Sequence, residues 1–184
     1  MRKYIYFAIL SIFVVPDAQS AVKPYFSTGV TAGIQNSSRH ASTAYRTLWT
    51  ITGGIRYELT DNVSMRNEIE YATSSYTFET GTYEYDAKTQ MILGNIITEF
   101  HPYGVNSSLY AGISAGTTNY ETTLKHPYSA PTVSNNAFTY GAMAGVSINV
   151  ASSLYIDVGL HYLTNTDAGS DGNIITSTSV HYGF

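Results

Sequence analysis

The chain has 184 residues, no cysteine and a formal net charge of −4 at neutral pH. Its length corresponds to one domain, and the lack of cysteine excludes a disulfide framework and a thiolate metal site. Only 12% of the residues are charged, about half the usual share for a soluble domain. The few Lys and Arg residues are not clustered, which argues against a nucleic-acid partner.

The N-terminal segment has the pattern of a secretory signal peptide. Two basic residues at positions 2 and 3 precede an apolar run over Tyr4–Val15. That run is too short to span a bilayer as a helix, so a permanent N-terminal anchor is the less favoured interpretation. Ala18-Gln19-Ser20 supplies small residues where signal peptidase reads them. We therefore assign residues 1–20 to a signal peptide and residues 21–184 to the folded domain.

Eight segments follow in which apolar and polar residues alternate with period two. Successive side chains of a strand point to opposite faces, so each segment is predicted to be a strand with one apolar face. In chain order the predicted strands are Pro24–Ile34, Arg46–Leu59, Val63–Thr73, Thr89–Phe100, Leu109–Gly116, Phe138–Asn149, Leu154–Tyr162 and Ile174–Phe184. Their even number is what a closed bacterial membrane barrel requires.

The connections between these segments alternate in length. The short ones are Thr60–Asn62, His101–Ser107 and Val150–Ser152, and the long ones are Gln35–Tyr45, Ser74–Lys88, Thr118–Asn135 and Thr164–Gly172. This alternation matches short periplasmic turns and long extracellular loops. The predicted fold is all-β, an eight-stranded antiparallel up-and-down transmembrane β-barrel with both termini in the periplasm. The competing interpretation is a soluble ligand-binding barrel, in which the apolar face points inward.

Charged residues recur on the predicted inner face of the strands. The lumen of an eight-stranded barrel is just wide enough to be filled by side chains, and charges taken out of water must be partnered. We therefore predict an interior ion network. Its members are Arg56, Glu58, Arg66, Glu68, Glu70, Glu99 and Asp157. The alternative is a narrow, charge-lined channel for small solutes.

The pairing within this network depends on the turn of the second hairpin. If Asp61–Val63 forms the turn, Arg56 faces Glu68 directly and Glu58 faces Arg66. If the turn is Thr60-Asp61-Asn62 instead, the residues of opposite charge lie diagonally. Both registers remain open from the sequence.

Ser179, His181 and Asp157 are predicted to lie inward on the last two strands, and their residue types are those of a hydrolase triad. A lipid-modifying enzyme is therefore a second alternative. We favour a structural histidine, because Ser179 and His181 lie near the periplasmic end and away from the outer leaflet. The other histidines show no metal-ligand spacing with acidic residues; they are His40, His101, His126 and His161. We accordingly predict no catalytic residue, metal or cofactor.

Two of the long loops are rich in tyrosine. Ser74–Lys88 partly alternates, so we expect the third and fourth strands to continue there above the membrane as a hairpin. An exposed, tyrosine-rich edge can pair with or stack against a partner. The candidate contact residues are Tyr76, Phe78, Tyr83, Tyr85, Tyr120 and Tyr128. The alternative is that these are solvated loops with no ligand.

Three segments of the chain follow a known strand pattern: Ile55–Glu68, Leu109–Gly116 and Gly141–Tyr162. They resemble the second hairpin, the fifth strand, and the sixth and seventh strands of opacity-protein and OmpX-like (OmpA-type) outer membrane proteins. One departure is His161, where that family commonly has Arg. The C-terminal residues resemble the signal that the barrel-assembly machinery reads; they are Val180, Tyr182 and Phe184.

The resemblance implies export to the cell outer membrane of a Gram-negative bacterium. The partners we expect are outer membrane lipid and lipopolysaccharide, the barrel-assembly machinery and a host surface or matrix protein. We therefore expect a non-enzymatic barrel with a lumen plugged by polar side chains. Its extracellular loops would serve surface interaction, adhesion or envelope integrity.

Overall fold

The computed structural model describes residues 22–35, 44–80, 83–125, 131–166 and 173–183. Eight strands occupy these ranges: β1 (Val22–Gln35), β2 (Ala44–Thr60), β3 (Val63–Thr80), β4 (Tyr83–Phe100), β5 (Ser107–Lys125), β6 (Thr132–Ala151), β7 (Leu154–Asn165) and β8 (Asn173–Gly183). A helix of the length and apolar character needed to cross a membrane is not found in the described ranges. The predicted signal peptide and its cleavage site lie outside them.

Every strand pairs antiparallel with the next, and β8 pairs with β1 to close the ring. A closed ring leaves no open sheet edge, which is a requirement wherever water cannot satisfy the backbone. The predicted all-β fold with eight antiparallel strands is therefore confirmed. One end of the barrel carries the β2–β3, β4–β5 and β6–β7 turns and is called the short-turn end below. The opposite end is called the hairpin end.

The four central strands are longer than the sequence indicated. β3 and β4 pair without interruption up to Thr80 and Tyr83, so the expected continuation of this hairpin is confirmed. β5 and β6 reach Lys125 and Thr132, so the prediction of a loop over Thr118–Asn135 is wrong for most of its length. The reason is that Thr, Val and Tyr favour strands even among the Ser and Asn residues that suggested a loop.

Burial follows the predicted alternation around the barrel. Apolar side chains on the outward face are exposed, and Trp49, at 65% exposure, is among the most open of them. Side chains of the inward face are buried, including Ser27, Glu99 and Asp157. Tyr57 has the outward register and is nevertheless buried; its hydroxyl accepts a hydrogen bond from Asn67.

The lumen contains two kinds of packing, one above the other. Charged residues occupy β3 from Arg66 to Glu70, and Ala72 follows them toward the hairpin end. Buried apolar side chains from five strands meet at that level and are called the apolar layer. The apolar layer consists of Leu48, Ala72, Met91, Leu93, Leu163 and Ile175. The apolar layer thus lies on the hairpin side of the charged residues.

Candidate functional site

Arg66 is the centre of the charged part of the lumen. Its side chain is almost completely buried on β3, and its Nη1 lies 2.8 Å from Oδ2 of Asp157 on β7. Its Nε lies 3.4 Å from Oε1 of Glu68 and 3.3 Å from Oε1 of Glu99. One guanidinium group is therefore surrounded by three carboxylates, as a buried cation requires.

Glu99 joins Arg66 to a second arginine. Arg56 lies directly opposite Arg66 in the β2–β3 register, and like charges in that position repel. Glu99 on β4 has no exposed surface, and its Oε2 lies 2.5 Å from Nη2 of Arg56. The structure therefore has the second of the two registers considered above, in which charges of opposite sign are not direct cross-strand partners.

Neutral groups donate further hydrogen bonds to Glu68 and Glu70. The Tyr25 hydroxyl donates to Glu68. Asn95 donates through Nδ2 to Oε2 of Glu70 at 3.1 Å and of Glu68 at 3.4 Å. The charged region is called the ion layer; it consists of Tyr25, Arg56, Arg66, Glu68, Glu70, Asn95, Glu99, Asp157 and His181.

Glu58 lies outside the ion layer, in contrast to our prediction. Its side chain is 57% exposed at the short-turn end and pairs with Nζ of Lys23 at 2.8 Å. The hydrogen bond from Lys23 lowers the pKa of Glu58 below its ordinary value. Glu58 has the inward register, but it is two residues from the end of β2, where the lumen opens to solvent. The alternation of residues along a strand indicates whether a side chain points into the lumen, but not how far it lies from the open end of the barrel.

Three members of the ion layer were not in the predicted network: Tyr25, Asn95 and His181. Lys23 and His101, at its short-turn end, were not in the predicted network either. The period-two pattern of β1 places Tyr25 on the inward face, and this is the one feature of the sequence that indicates its position in the lumen. Lys23 and His101 depend on the register of neighbouring strands, so neither could be assigned a partner beforehand. In the structure Lys23 pairs with Glu58, and His101 contacts Arg56.

The Ser179, His181 and Asp157 side chains come together, but with the geometry of a structural cluster. Nε2 of His181 lies 3.0 Å from Oδ2 of Asp157 and 2.8 Å from Oγ of Ser179. A hydrolase triad uses both ring nitrogens, one for the acid and the other for the nucleophile. Here a single nitrogen has both contacts, so the proton relay of a triad is not formed. The described residues contain no group of three potential metal ligands.

His101 occupies the short-turn end of the ion layer, where the β4–β5 turn begins. Its Nε2 lies 2.8 Å from Oγ of Ser64, 3.2 Å from Nη2 of Arg56 and 3.8 Å from Oε2 of Glu99. Burial, followed by the charge of Arg56, lowers the pKa of His101. The ring is half-buried and faces an open cavity.

That cavity, called the vestibule, opens at the short-turn end and has a volume of about 480 Å³. Its lining includes Lys23, Arg56, His101, Tyr155 and His181. A second, smaller cavity of about 30 Å³ lies between the ion layer and the side chains of Ile97, Tyr110 and Met143. Available space thus falls steeply from the short-turn end toward the middle of the barrel.

The hairpin end carries an aromatic cluster on the part of β3 and β4 that extends past the barrel. This part, residues 74–80 and 83–88, is called the β3–β4 extension. The ring of Phe78 stacks on Tyr85 with centroids 5.2 Å apart and on Tyr76 with centroids 5.8 Å apart. Tyr83 shares their register and is 48% exposed. Four of the six predicted contact residues therefore lie together on one face.

The other face of the extension is polar and links β4 to β5. Nζ of Lys125 lies 2.8 Å from Glu84 and 2.9 Å from Asp86, and Thr77 donates to Asp86 at 2.7 Å. The bonds from Thr77 and Lys125 lower the pKa of Asp86, and those to Glu84 and Asp86 raise the pKa of Lys125. These bonds hold the extension together outside the barrel.

The remaining predicted residues do not join the aromatic cluster. The Tyr120 hydroxyl accepts a bond from Asn165 at 2.6 Å and is partly buried. Tyr128 lies outside the described residues. At the C-terminus, Val180 and Tyr182 are exposed on the outward face, and Phe184 lies outside the described residues.

Comparison with known proteins agrees with this architecture. The chain is similar to the Neisserial surface protein A structure, with 17% identity, coverage of 89% of this chain and 99% of that one, and a TM-score of 0.65. It is similar to Ail, the attachment invasion locus protein of Yersinia pestis, in complex with the heparin analogue sucrose octasulfate, with 16% identity, coverage of 89% and 99%, and a TM-score of 0.58. A major outer membrane protein from Thermus thermophilus has 8% identity, coverage of 88% and 99%, and a TM-score of 0.61.

At these identities the similarity shows the fold alone. No curated protein matches the chain. The family model for the outer membrane protein β-barrel domain matches residues 5–184. This match covers nearly the whole sequence, and the closed ring of eight strands and the apolar outward face agree with it. The chain belongs to the outer membrane protein β-barrel domain family.

Proposed function

We propose that this protein is a non-enzymatic outer membrane barrel that binds a protein partner at the cell surface through its β3–β4 extension. The hairpin end then lies outside the cell and the short-turn end in the periplasm, after export by the predicted signal peptide. The observation that carries the proposal is the stacked aromatic cluster at the hairpin end. Aromatic side chains supply large contact areas at protein interfaces and are enriched in their energetic centres.

Two further features support a role in binding. The last β2–β3 pair of the described residues is Trp49 and Thr73, so the part of β3 that carries the aromatic cluster is not paired with β2. The segment 74–80 has no Lys or Pro, the residues with which proteins commonly protect a strand edge from pairing. The similar structures include a surface protein and an attachment invasion protein, which also favours the surface of a host cell or its matrix as the partner.

The test compares Phe78→Ser/Tyr85→Ser with a control that changes the same outer region without touching the aromatic face. Thr123→Ala/Thr132→Ala is such a control, because these two exposed hydroxyls bond only to each other among the described residues, at 3.0 Å. Cells carrying each variant are measured for adhesion to cultured host cells and to wells coated with matrix protein. We expect the aromatic variant to lose at least about tenfold in adhesion, the size of one interface hot spot.

Folding is controlled in the same samples by electrophoresis with and without boiling. Both variants should show the same shift as the parent, because the extension lies beyond the membrane barrel. Full adhesion by the correctly folded aromatic variant would exclude this role for the extension.

The vestibule is the one observation that favours a narrow channel instead. We infer that the lumen does not conduct, because the ion layer and the apolar layer lie between the vestibule and the hairpin end. Passage requires a continuous water-filled path, and the cavity between the ion layer and the side chains of Ile97, Tyr110 and Met143 has a volume of only about 30 Å³. Purified protein in planar bilayers should show no stepwise conductance; reproducible steps would establish the channel.

The second alternative, lipid modification, finds little support in the charged cluster. The shared Nε2 of His181 removes the relay that would activate Ser179. Mass spectra of lipid A from cells with and without the protein should be identical. A new lipid A species that depends on Ser179 would overturn the non-enzymatic assignment.

A further inference from the structure

The ion layer meets the vestibule at His101, a titratable group whose Nε2 lies 3.2 Å from the guanidinium of Arg56. Its backbone N–H donates to the carbonyl of Asn62 at 2.8 Å, so the turn that carries the ring is fixed. Its Nε2 faces Arg56, Ser64 and Glu99 at the distances given above. Arg56 reaches the ring from β2, Ser64 from β3 and Glu99 from β4.

Counting protons shows which bonds the neutral ring makes. The Ser64 hydroxyl has one proton, and Oε2 of Glu99 and Nε2 of His101 lie equally close to it, each at 2.8 Å. The guanidinium of Arg56 can only donate. With Nε2 unprotonated, the ring accepts from Arg56 at 3.2 Å. In this state the ring is an acceptor for the cation beside it.

Protonation removes the lone pair from Nε2 and turns it into a donor. The ring then donates to Ser64 or Glu99, and two cations face each other at 3.2 Å. Cζ of Arg56 already lies 4.9 Å from the centre of the Tyr155 ring at the vestibule wall, so the guanidinium can move away from Nε2 into the vestibule while keeping this contact. A cation over an aromatic face is stabilised by the ring electrons.

We propose that His101 is a pH-responsive latch, which holds Arg56 in the ion layer when neutral and releases it into the vestibule when protonated. The charged and titratable groups around the ring are Lys23 from β1, Arg56 and Glu58 from β2, Asp61 from the turn, Arg66 from β3, Glu99 from β4, Tyr155 from β7 and His181 from β8. The latch makes the short-turn end of the ion layer sensitive to acid on the periplasmic side, independently of any partner at the cell surface.

The lowered pKa of His101 is consistent with this arrangement, since the release then requires acid below the ordinary histidine value of 6.5. Glu99 acts in the opposite direction and favours the protonated ring, but it is more distant than Arg56. The pKa is lowered because burial, the largest cause, and the charge of Arg56 act in the same direction.

The latch is tested by NMR of the full folded protein in lipid nanodiscs between about pH 5 and 8, the range in which histidines titrate. The signals followed are the His101 ring and the Arg56 side-chain Nε–H. We expect both to change with one shared midpoint below pH 6.5. In His101→Gln, the Arg56 signal should become independent of pH over this range.

His161→Gln is the matched control, because His161 is a buried lumen histidine on β7 that lines the small cavity and not the vestibule. It should leave the Arg56 transition and its midpoint unchanged. The proposal is overturned if Arg56 does not respond while His101 titrates, or if its response persists in His101→Gln. The latch is also excluded if the Arg56 transition is lost in His161→Gln and kept in His101→Gln, because the response would then depend on His161.

Discussion

Arg66 on β3 and Asp157 on β7 form an ion pair across the lumen, with Nη1 and Oδ2 2.8 Å apart. Their strands are not neighbours in the sheet, so backbone hydrogen bonds hold neither residue near the other. Both side chains are almost fully buried. The pair therefore braces opposite walls of the barrel through side chains alone, and it does so at the level where the vestibule ends.

Removing either partner of this pair should be costly. Arg66→Met removes the cation that three carboxylates share. Asp157→Asn removes one of the three negative charges around Arg66. We expect each to lower the free energy of unfolding by about 3–5 kcal/mol, as for other broken buried pairs. The double variant should cost less than the sum by at least about 1 kcal/mol.

The free energies of unfolding of the parent, the two single variants and the double variant are measured by urea unfolding in lipid vesicles. Unfolding is followed by the fluorescence of Trp49, the one tryptophan of the chain. Additive effects of the two substitutions would show that the pair is not coupled.

Glu99 and Glu58 offer a comparison of a buried and an exposed carboxylate in one protein. Glu99→Gln removes the charge between Arg56 and Arg66, which lie directly opposite each other. It should destabilise the barrel by about 3–5 kcal/mol. Glu58→Gln affects only the exposed pair with Lys23 and should cost less than about 1 kcal/mol. Equal effects in urea unfolding would contradict the assignment of Glu58 to the exposed rim.

The adjacent glycines of β2 should differ sharply in their tolerance of a methyl group. A Cβ at Gly54 would lie 2.7 Å from the carbonyl oxygen of Asn67 and 2.8 Å from the Tyr25 hydroxyl, whereas a Cβ at Gly53 meets nothing within 4 Å. Gly54→Ala should therefore cost about 1–3 kcal/mol by overpacking. Gly53→Ala should be neutral or stabilising by up to about 1 kcal/mol. The temperature at which the folded band disappears on gels ranks the two variants, and the reverse ranking would disprove the inward position of Gly54.

The polar face of the β3–β4 extension should tolerate acid unusually well. Because the folded-state pKa of Asp86 is lowered, its bonds are fully present above the ordinary Asp value of 3.8 and are lost only as the pH falls through the lowered pKa. Thr77→Val should move the Asp86 titration back toward 3.8, and Lys125→Met should do so to a smaller extent. Carboxyl NMR shifts measure all three midpoints, and a wild-type midpoint at or above 3.8 would contradict the bonding described here.

The inward and outward faces of the strands could be predicted from the sequence. Period-two alternation placed Arg66, Glu99 and Asp157 inward and Trp49 outward, because successive side chains of any strand must point to opposite sides. The alternation of short and long connections likewise indicated the up-and-down order of the strands. Each of these features depends only on residues that are close together in the sequence, so each can be recognised without knowledge of the fold.

Partners and depth were decided only by the tertiary structure. The pairing of Arg66 with Asp157 depends on the stagger of eight strands around a closed ring, and no local pattern records that stagger. The same holds for Glu58, which has the inward phase but lies at the open rim, and for His101, which contacts Arg56 from the start of the β4–β5 turn. Alternation is a property of each strand alone, whereas register and depth belong to the closed barrel.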